Sequence, residues 1–195
     1  MRKFFLLAVM AVCAITASAQ IEKGLRMGMT VNGLSSTYSD ISGVSSSMGF
    51  GVGYVAEYNF NENLYLGTGI QYDFRGAKFK SVEYMGQQLP LVEETNVASQ
   101  HIMVPVNIGG RVALADNTYI FGQAGPYASL ATKKGYIAVG AKELKSESFD
   151  WGFNAKAGIE FSKFQIYGGY EYGMAEIWKK DGKNRSIVFG AAYMF

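Results

Sequence analysis

A chain of 195 residues that carries one cysteine, one histidine and three prolines has much of protein chemistry closed to it. The cysteine, Cys13, lies inside an apolar run, Phe4 to Ile15, that follows Arg2 and Lys3 and leads to Ala17-Ser18-Ala19. Basic, then apolar, then small-x-small is the order of a removed secretory signal peptide, so residues 1–19 are set apart from a mature domain of 20–195. Lipid attachment at Cys13 would need a small residue just before it, and Val12 stands there. The mature chain therefore has no thiol, which excludes disulfides and thiol chemistry even in an oxidising compartment. His101 alone cannot build a multi-histidine metal centre. No stretch past the signal reaches the ~18 continuous apolar residues of a membrane helix. Charge of either sign is scarce in excess: the formal +2 falls to 0 once Arg2 and Lys3 are removed. A balanced chain offers no basic patch of the kind that nucleic acid requires.

What is present is glycine and aromatic residues, 24 Gly, 13 Tyr and 13 Phe, a composition suited to strands and turns. Period-two alternation marks eight segments and outcompetes any helical reading. The first is Leu25 to Leu34, the second Gly49 to Tyr58, the third Leu64 to Arg75 and the fourth His101 to Arg111. The sixth is Asp150 to Phe161, the seventh Phe164 to Gly173, and the eighth ends the chain at Ile187 to Phe195. The fifth, Thr118 to Leu130, is ambiguous in polarity. A two-residue turn near Asp116-Asn117 would place Gly122, Ala124, Pro126 and Ala128 on its polar face and Tyr119, Phe121 and Tyr127 on its apolar one. By the same parity Pro105 and Pro126 are expected to point inward, nearly opposite each other, and to distort their hairpin. The run Gly49-Phe50-Gly51-Val52-Gly53 belongs to this alternation and is no phosphate cradle.

Eight such strands predict an all-β fold, an eight-stranded antiparallel up-and-down transmembrane β-barrel. Backbone groups in lipid must be satisfied internally, so strands cross a membrane only as a closed barrel. Short connections at 61–63, 115–117 and 162–163 alternate with long polar ones at 35–47, 81–96, 132–147 and 175–184, the rhythm of short periplasmic turns and long outer loops. A soluble barrel would show the same alternation with its apolar face inside. Against it stand the apolar face of every strand, its aromatic ends and the terminal Phe195. Phe60, Phe161, Phe164 and Phe195 gather at the turn side, while Phe50, Phe74, Trp151 and Tyr172 gather toward the loops, as two interfacial belts do. The last strand also resembles the insertion signal that closes Gram-negative outer-membrane barrels. The location expected is the cell outer membrane, in contact with its lipid.

Candidate chemistry is sparse. The inward charged set is Arg26, Glu57, Asp73, Arg75, Arg111, Asp150, Lys156, Glu160 and Glu171, four positive and five negative. It reads as a substrate or ion path, or as a filled interior whose charges cancel, with little room for anything else in eight strands. Each cation is then expected near an acid, with no continuous channel. Ser99, His101 and Ser129 form the one candidate for nucleophilic chemistry on lipid. His101 lacks the His-x-Ser spacing of outer-membrane lipid deacylases, and a histidine at the loop-side rim is the plainer reading. The neighbouring acids Glu93-Glu94, and Glu143, are ordinary loop charges. No catalytic, cofactor or metal residue is expected, and no enzyme activity. The long loops instead hold apolar and aromatic residues among charges. Tyr38, Tyr84, Met85, Leu91, Tyr136, Ile137 and Trp178 form the expected contact surface for an extracellular or envelope protein.

Several short motifs occur in a set order. His101-Ile102-Met103-Val104-Pro105-Val106, Gly125-Pro126-Tyr127, Phe149-Asp150-Trp151-Gly152, Tyr170-Glu171-Tyr172-Gly173-Met174 and the closing Asn184-Arg185-Ser186 to Phe195 follow one another. Together they resemble the PorT-like outer-membrane β-barrel family of Bacteroidetes-type bacteria over most of the mature chain, most closely from residue 101 onward. Members commonly carry an acid before the Ile-Pro pair, where this chain has Met103 before Val104-Pro105. The resemblance implies an outer-membrane barrel, with one branch linked to protein secretion, and carries over no catalytic residue.

Overall fold

In the computed structural model, the described backbone covers residues 21–35, 44–84, 87–133, 136–139, 142–145, 148–178 and 181–195. The signal segment 1–19 lies outside the described residues. The strands are β1 (Ile21–Ser35), β2 (Val44–Asn59), β3 (Leu64–Tyr84), β4 (Gln87–Ala115), β5 (Thr118–Lys133), β6 (Tyr136–Val139), β7 (Lys142–Lys145), β8 (Phe149–Phe161), β9 (Phe164–Trp178) and β10 (Asp181–Met194). Eight of them close a barrel in the order β1-β10-β9-β8-β5-β4-β3-β2, every neighbour antiparallel, while β6 and β7 pair only with each other. The ends of the chain close the ring: β1 pairs β10 from Gly24↔Met194 to Ser35↔Lys183, and the Phe195 amide donates to the Lys23 carbonyl at 2.6 Å.

Alternation sorts the side chains into two walls. Leu25, Met27, Met29, Val52, Ile70, Ile108, Phe153, Ile159, Ile166, Ile187 and Phe189 lie exposed on the outer wall. Their polar neighbours in sequence are buried inside. Aromatic contacts gather at both ends of the wall. Phe50 stacks on Phe74 at 4.3 Å toward the loops, and Tyr58 meets Phe60 edge-on at 5.3 Å beside the turns. Phe164 lies 5.0 Å from Tyr193 on the same turn side. Hydrocarbon meets the apolar middle, and amphipathic rings take the interfaces.

The fifth strand corrects the expectation drawn from its turn. Asn117 and Ser162 both take the left-handed conformation, at φ 57° and 55°, in two-residue turns. At β8–β9 the turn preserves parity, with Phe161↔Phe164 followed by Glu160↔Gln165. At β4–β5 the pairing shifts between Ala113 and Ala115, from Ala115↔Thr118 to Ala113↔Tyr119, leaving Leu114 as an extra residue. A one-residue bulge turns every following side chain to the other face. Phe121 and Tyr127 are therefore buried inside with Gln123 and Ser129, and Tyr119 shares their parity. Gly122, Ala124, Pro126 and Ala128 face outward.

The two prolines consequently point to opposite sides, Pro105 inward and Pro126 outward, and Pro105 stands opposite Tyr127. The pairing of β3 with β4 passes from Thr68↔Val106 to Gln71↔Met103 without Gly69 or Ile70, beside the Pro105 that has no N–H to give. The Thr68 hydroxyl donates to the Pro105 carbonyl at 2.8 Å on the border of this gap.

Three of the long connections contain more strand than expected. Residues 81–96 continue the β3–β4 ladder to Tyr84↔Gln87, 132–147 contains the β6–β7 hairpin, and 175–184 is mostly the ends of β9 and β10. Two-stranded pairing satisfies a connection's backbone groups without any barrel beneath it. The fourth, 35–47, has residues 36–43 outside the described set.

Candidate functional site

Two places could carry function: the barrel interior and the loop-side ends of the strands. All nine charged residues expected to point inward are buried, from Asp73 and Glu171 at 0% exposure to Arg111 at 7%.

Arg75 organises the loop-side half. Its Nη2 donates to Asp73 Oδ2 at 3.1 Å and to Glu171 Oε2 at 2.9 Å. Gln71 donates to the other oxygen of Asp73 at 2.5 Å, and Lys156 lies 3.9 Å from Glu171 Oε1. Next to this group Tyr127 donates to Asp150 at 3.1 Å. The turn-side half is built on Arg111. Its guanidinium meets Glu57 at 2.7 Å, Glu160 at 3.3 Å and the partly exposed Glu22 at 3.5 Å, and covers the Tyr65 ring at 4.7 Å. Gln165 bridges Glu160 and Glu57 at 3.0 and 3.3 Å. Between the halves Asn154 donates to Asn107 at 2.9 Å and to the Gly125 carbonyl at 3.0 Å.

Pairing of each cation with an acid holds for Arg75, Arg111 and Lys156. Arg26 departs from it: among the described residues it has no carboxylate within ion-pair distance. Its register partners are Gly53 and Ala192, and its guanidinium lies 5.0 Å from the centre of the Tyr167 ring, which Lys156 approaches at 5.7 Å. The ring's negative face takes the part a carboxylate has elsewhere. Tyr65 and Tyr167 thus help to hold the interior cations. Both rings occupy space left by inward glycines: a Cβ on Gly109 would fall 2.1 Å from Tyr65, and one on Gly190 would fall 2.3 Å from the Tyr167 hydroxyl. Tyr65 shares the parity of inward Asp73 and Arg75, and Tyr167 that of inward Glu171, but their role depends on cross-strand register, which alternation does not carry.

Ser99, His101 and Ser129 are brought together. His101 Nε2 is 2.9 Å from Ser99 Oγ, and its Nδ1 is 3.3 Å from Ser129 Oγ. The bulge before β5 turns Ser129 inward to make this possible. Ser129 is 2% exposed and His101 7%, whereas Ser99 is half-buried, so the trio runs from the packed loop-side wall toward its rim. Among the described residues no group of three or more acid, histidine or cysteine side chains is arranged to hold a metal ion.

Of the expected loop surface, Tyr84 ends β3, Leu91 lies in β4, Tyr136 and Ile137 open β6, and Trp178 ends β9. Tyr38 and Met85 lie outside the described residues. The backbone places Tyr84 and Leu91 in one ribbon that runs ten residues beyond Phe74 on β3, roughly 30 Å at strand rise.

Residues 16–178 match the model of the outer membrane protein beta-barrel domain. No curated protein matches the chain. Among solved structures, the barrel is similar to Neisserial surface protein A, with a TM-score of 0.51 and 12% identity over 89% of this chain and 97% of that one. Ail, the attachment invasion locus protein of Yersinia pestis, gives 0.48 and 17% over 89% and 98%. OprG from Pseudomonas aeruginosa gives 0.46 and 10% over 90% and 94%.

Proposed function

The chain belongs to the outer membrane protein beta-barrel domain family and resides in the outer membrane, and from that premise we propose that it is a non-enzymatic binding barrel whose loop-side ends contact an extracellular or envelope protein. The observation that carries this reading is the contrast between the ends of the strands and the interior. Buried carboxylates clasp Arg75 and Arg111 across the lumen, whereas the β3–β4 ribbon projects far past the aromatic belt. Tyr38, Tyr84, Met85, Leu91, Tyr136, Ile137 and Trp178 supply the contact surface. Residues 1–19 are the export signal and 20–195 the barrel domain. Shortening 81–96 and 132–147 should leave a folded, inserted barrel that no longer does its biological work. Full activity after both deletions, together with loss in a folded Arg75→Ala barrel, would place function in the interior instead. The purified monomer should give no stable conductance of porin size in planar bilayers; such a conductance would contradict the filled interior.

The ordered motifs from His101 to Phe195 favour a second reading, a component of a secretion apparatus of the PorT kind. A stable envelope complex that co-purifies with the barrel would support it. A lipid-modifying role for Ser99, His101 and Ser129 is a third reading; both ring nitrogens of His101 meet serine hydroxyls, which leaves neither for an orienting acid. It requires that His101→Ala abolish a change in outer-membrane lipid.

A further inference from the structure

Cations inside this barrel are clasped by carboxylates or rings, but one arginine sits on the opposite wall. Along β10 the side chains of Asn184, Ser186 and Val188 are buried, and those of Ile187, Phe189 and Tyr193 are exposed to the hydrocarbon side. Arg185 shares the parity of the second set. In register it stands beside Tyr172 of β9, one of the aromatic residues of the loop-side belt, and beside Gly33 of β1, which offers no side chain. Its guanidinium lies over the Tyr172 ring at 4.2 Å from the centroid. Among the described residues no carboxylate is within ion-pair distance of it, unlike Arg75 and Arg111, which have two and three.

Stacking engages the face of the guanidinium, and the side chains of Tyr170 and Tyr172 also hydrogen-bond part of its donor fork. Five N–H groups outnumber these two partners, and the remaining in-plane donors match phosphate oxygens. A cation at belt height on the lipid face stands where acyl chains give way to headgroups. In barrels of this kind the loop end faces outward, so the leaflet concerned is the outer one. Lys183 follows on the same face, but it stands opposite Glu176 in register, so the site centres on Arg185.

We propose that Arg185, stacked on Tyr172 and open toward Gly33, binds the phosphate of an anionic lipid headgroup in the outer leaflet. This site is on the outer wall and is independent of what the loops bind. It fixes the barrel against specific lipid at the β9–β10–β1 seam, where the ring closes.

The test uses the refolded barrel in detergent, mixed with equal amounts of phosphatidylglycerol and phosphatidylcholine of the same acyl chains, with retained lipid counted by native mass spectrometry. The wild-type barrel should retain phosphatidylglycerol about fivefold over phosphatidylcholine, the ratio that one interfacial cation supplies. Arg185→Gln should bring the ratio close to one, and Arg185→Lys should give an intermediate value. Tyr172→Leu keeps the charge, loses the stack, and should also lower the ratio. Equal retention by the wild type, or an unchanged ratio in Arg185→Gln, overturns the proposal. Should Arg185→Gln fail to fold, an unchanged ratio in both Arg185→Lys and Tyr172→Leu overturns it equally. Displacement of phosphatidylglycerol by millimolar inorganic phosphate would make this a soluble-anion site and overturn the lipid assignment.

Discussion

The inner and outer walls of this barrel are made from the same strands and follow opposite rules. Inside, the chain places Arg75, Arg111, Lys156 and all their carboxylates except Glu22 at 0–7% exposure, held by register-dependent pairs and by rings fitted over glycines. Outside, it places Leu25, Ile108, Phe153 and Ile166 beside small residues such as Gly122 and Ala124, with few specific contacts. The inner wall is a set of interactions each of which needs its partner. Away from Arg185 and its stack on Tyr172, the outer wall requires only that its groups be apolar and its rings be at the right height. A substitution should therefore be judged first by the wall it falls on.

The sharpest way to break this contrast is to remove one interior cation. Arg75→Met leaves Asp73 and Glu171 without their shared counter-charge, and breaking a buried pair from one side costs about 3–5 kcal/mol. Urea unfolding of the barrel in lipid vesicles should show that loss. Adding Asp73→Asn and Glu171→Gln to Arg75→Met should recover most of it, since the uncompensated charges go too. Arg111→Met should cost less, because Glu22 brings that cluster within reach of water at the turn end. Equal losses at the two arginines would mean that the clusters do not differ in enclosure.

A charge on the outer wall tests the same contrast from the other side. Ala124 lies midway along β5 and faces lipid, so Ala124→Arg should destabilise the barrel by roughly 2–4 kcal/mol. A near-neutral result would return Ala124 to the interior and the fifth strand to the parity expected from its turn alone.

That strand marks the limit of what the sequence can tell. Seven strands had their walls assigned correctly, because hydrophobic alternation in a membrane leaves no tolerance: Asp73 beside Phe74 or Lys156 beside Ala155 can point only one way. All nine interior charges were legible for that reason. In β5 the alternation is between Gly, Ala and Pro on one parity and Gln, Phe, Tyr and Ser on the other, so polarity decides nothing. The expectation then rested on a turn length that was right and a parity that the bulge at Leu114 reversed. A bulge near a two-residue turn has no compositional mark, whereas the inward pairing of Ser129 with His101 follows directly from it. The ribbon of β3 and β4 was likewise hidden, because polar strands without a barrel beneath them look like loop.

The smallest expected effect separates two glycines. Gly109 and Gly122 are both strand glycines on the β4–β5 hairpin, one on each wall. A Cβ added to Gly109 would fall 2.1 Å from Cζ of Tyr65 and 2.5 Å from its hydroxyl. The ring would have to move, and in moving it would leave the Arg111 guanidinium that now covers it at 4.7 Å. Overpacking of this kind costs about 1–3 kcal/mol, so Gly109→Ala should lower stability by that amount. Gly122 faces lipid with nothing within 4 Å of its added Cβ. There alanine meets no clash and narrows the unfolded ensemble, so Gly122→Ala should be neutral or stabilising by roughly 0.4–1 kcal/mol. Paired urea titrations of the two variants read the difference directly. If both are equally destabilising, the backbone of the hairpin needs glycine for its own geometry, and the fit of Tyr65 into Gly109 is not what holds Arg111 in place.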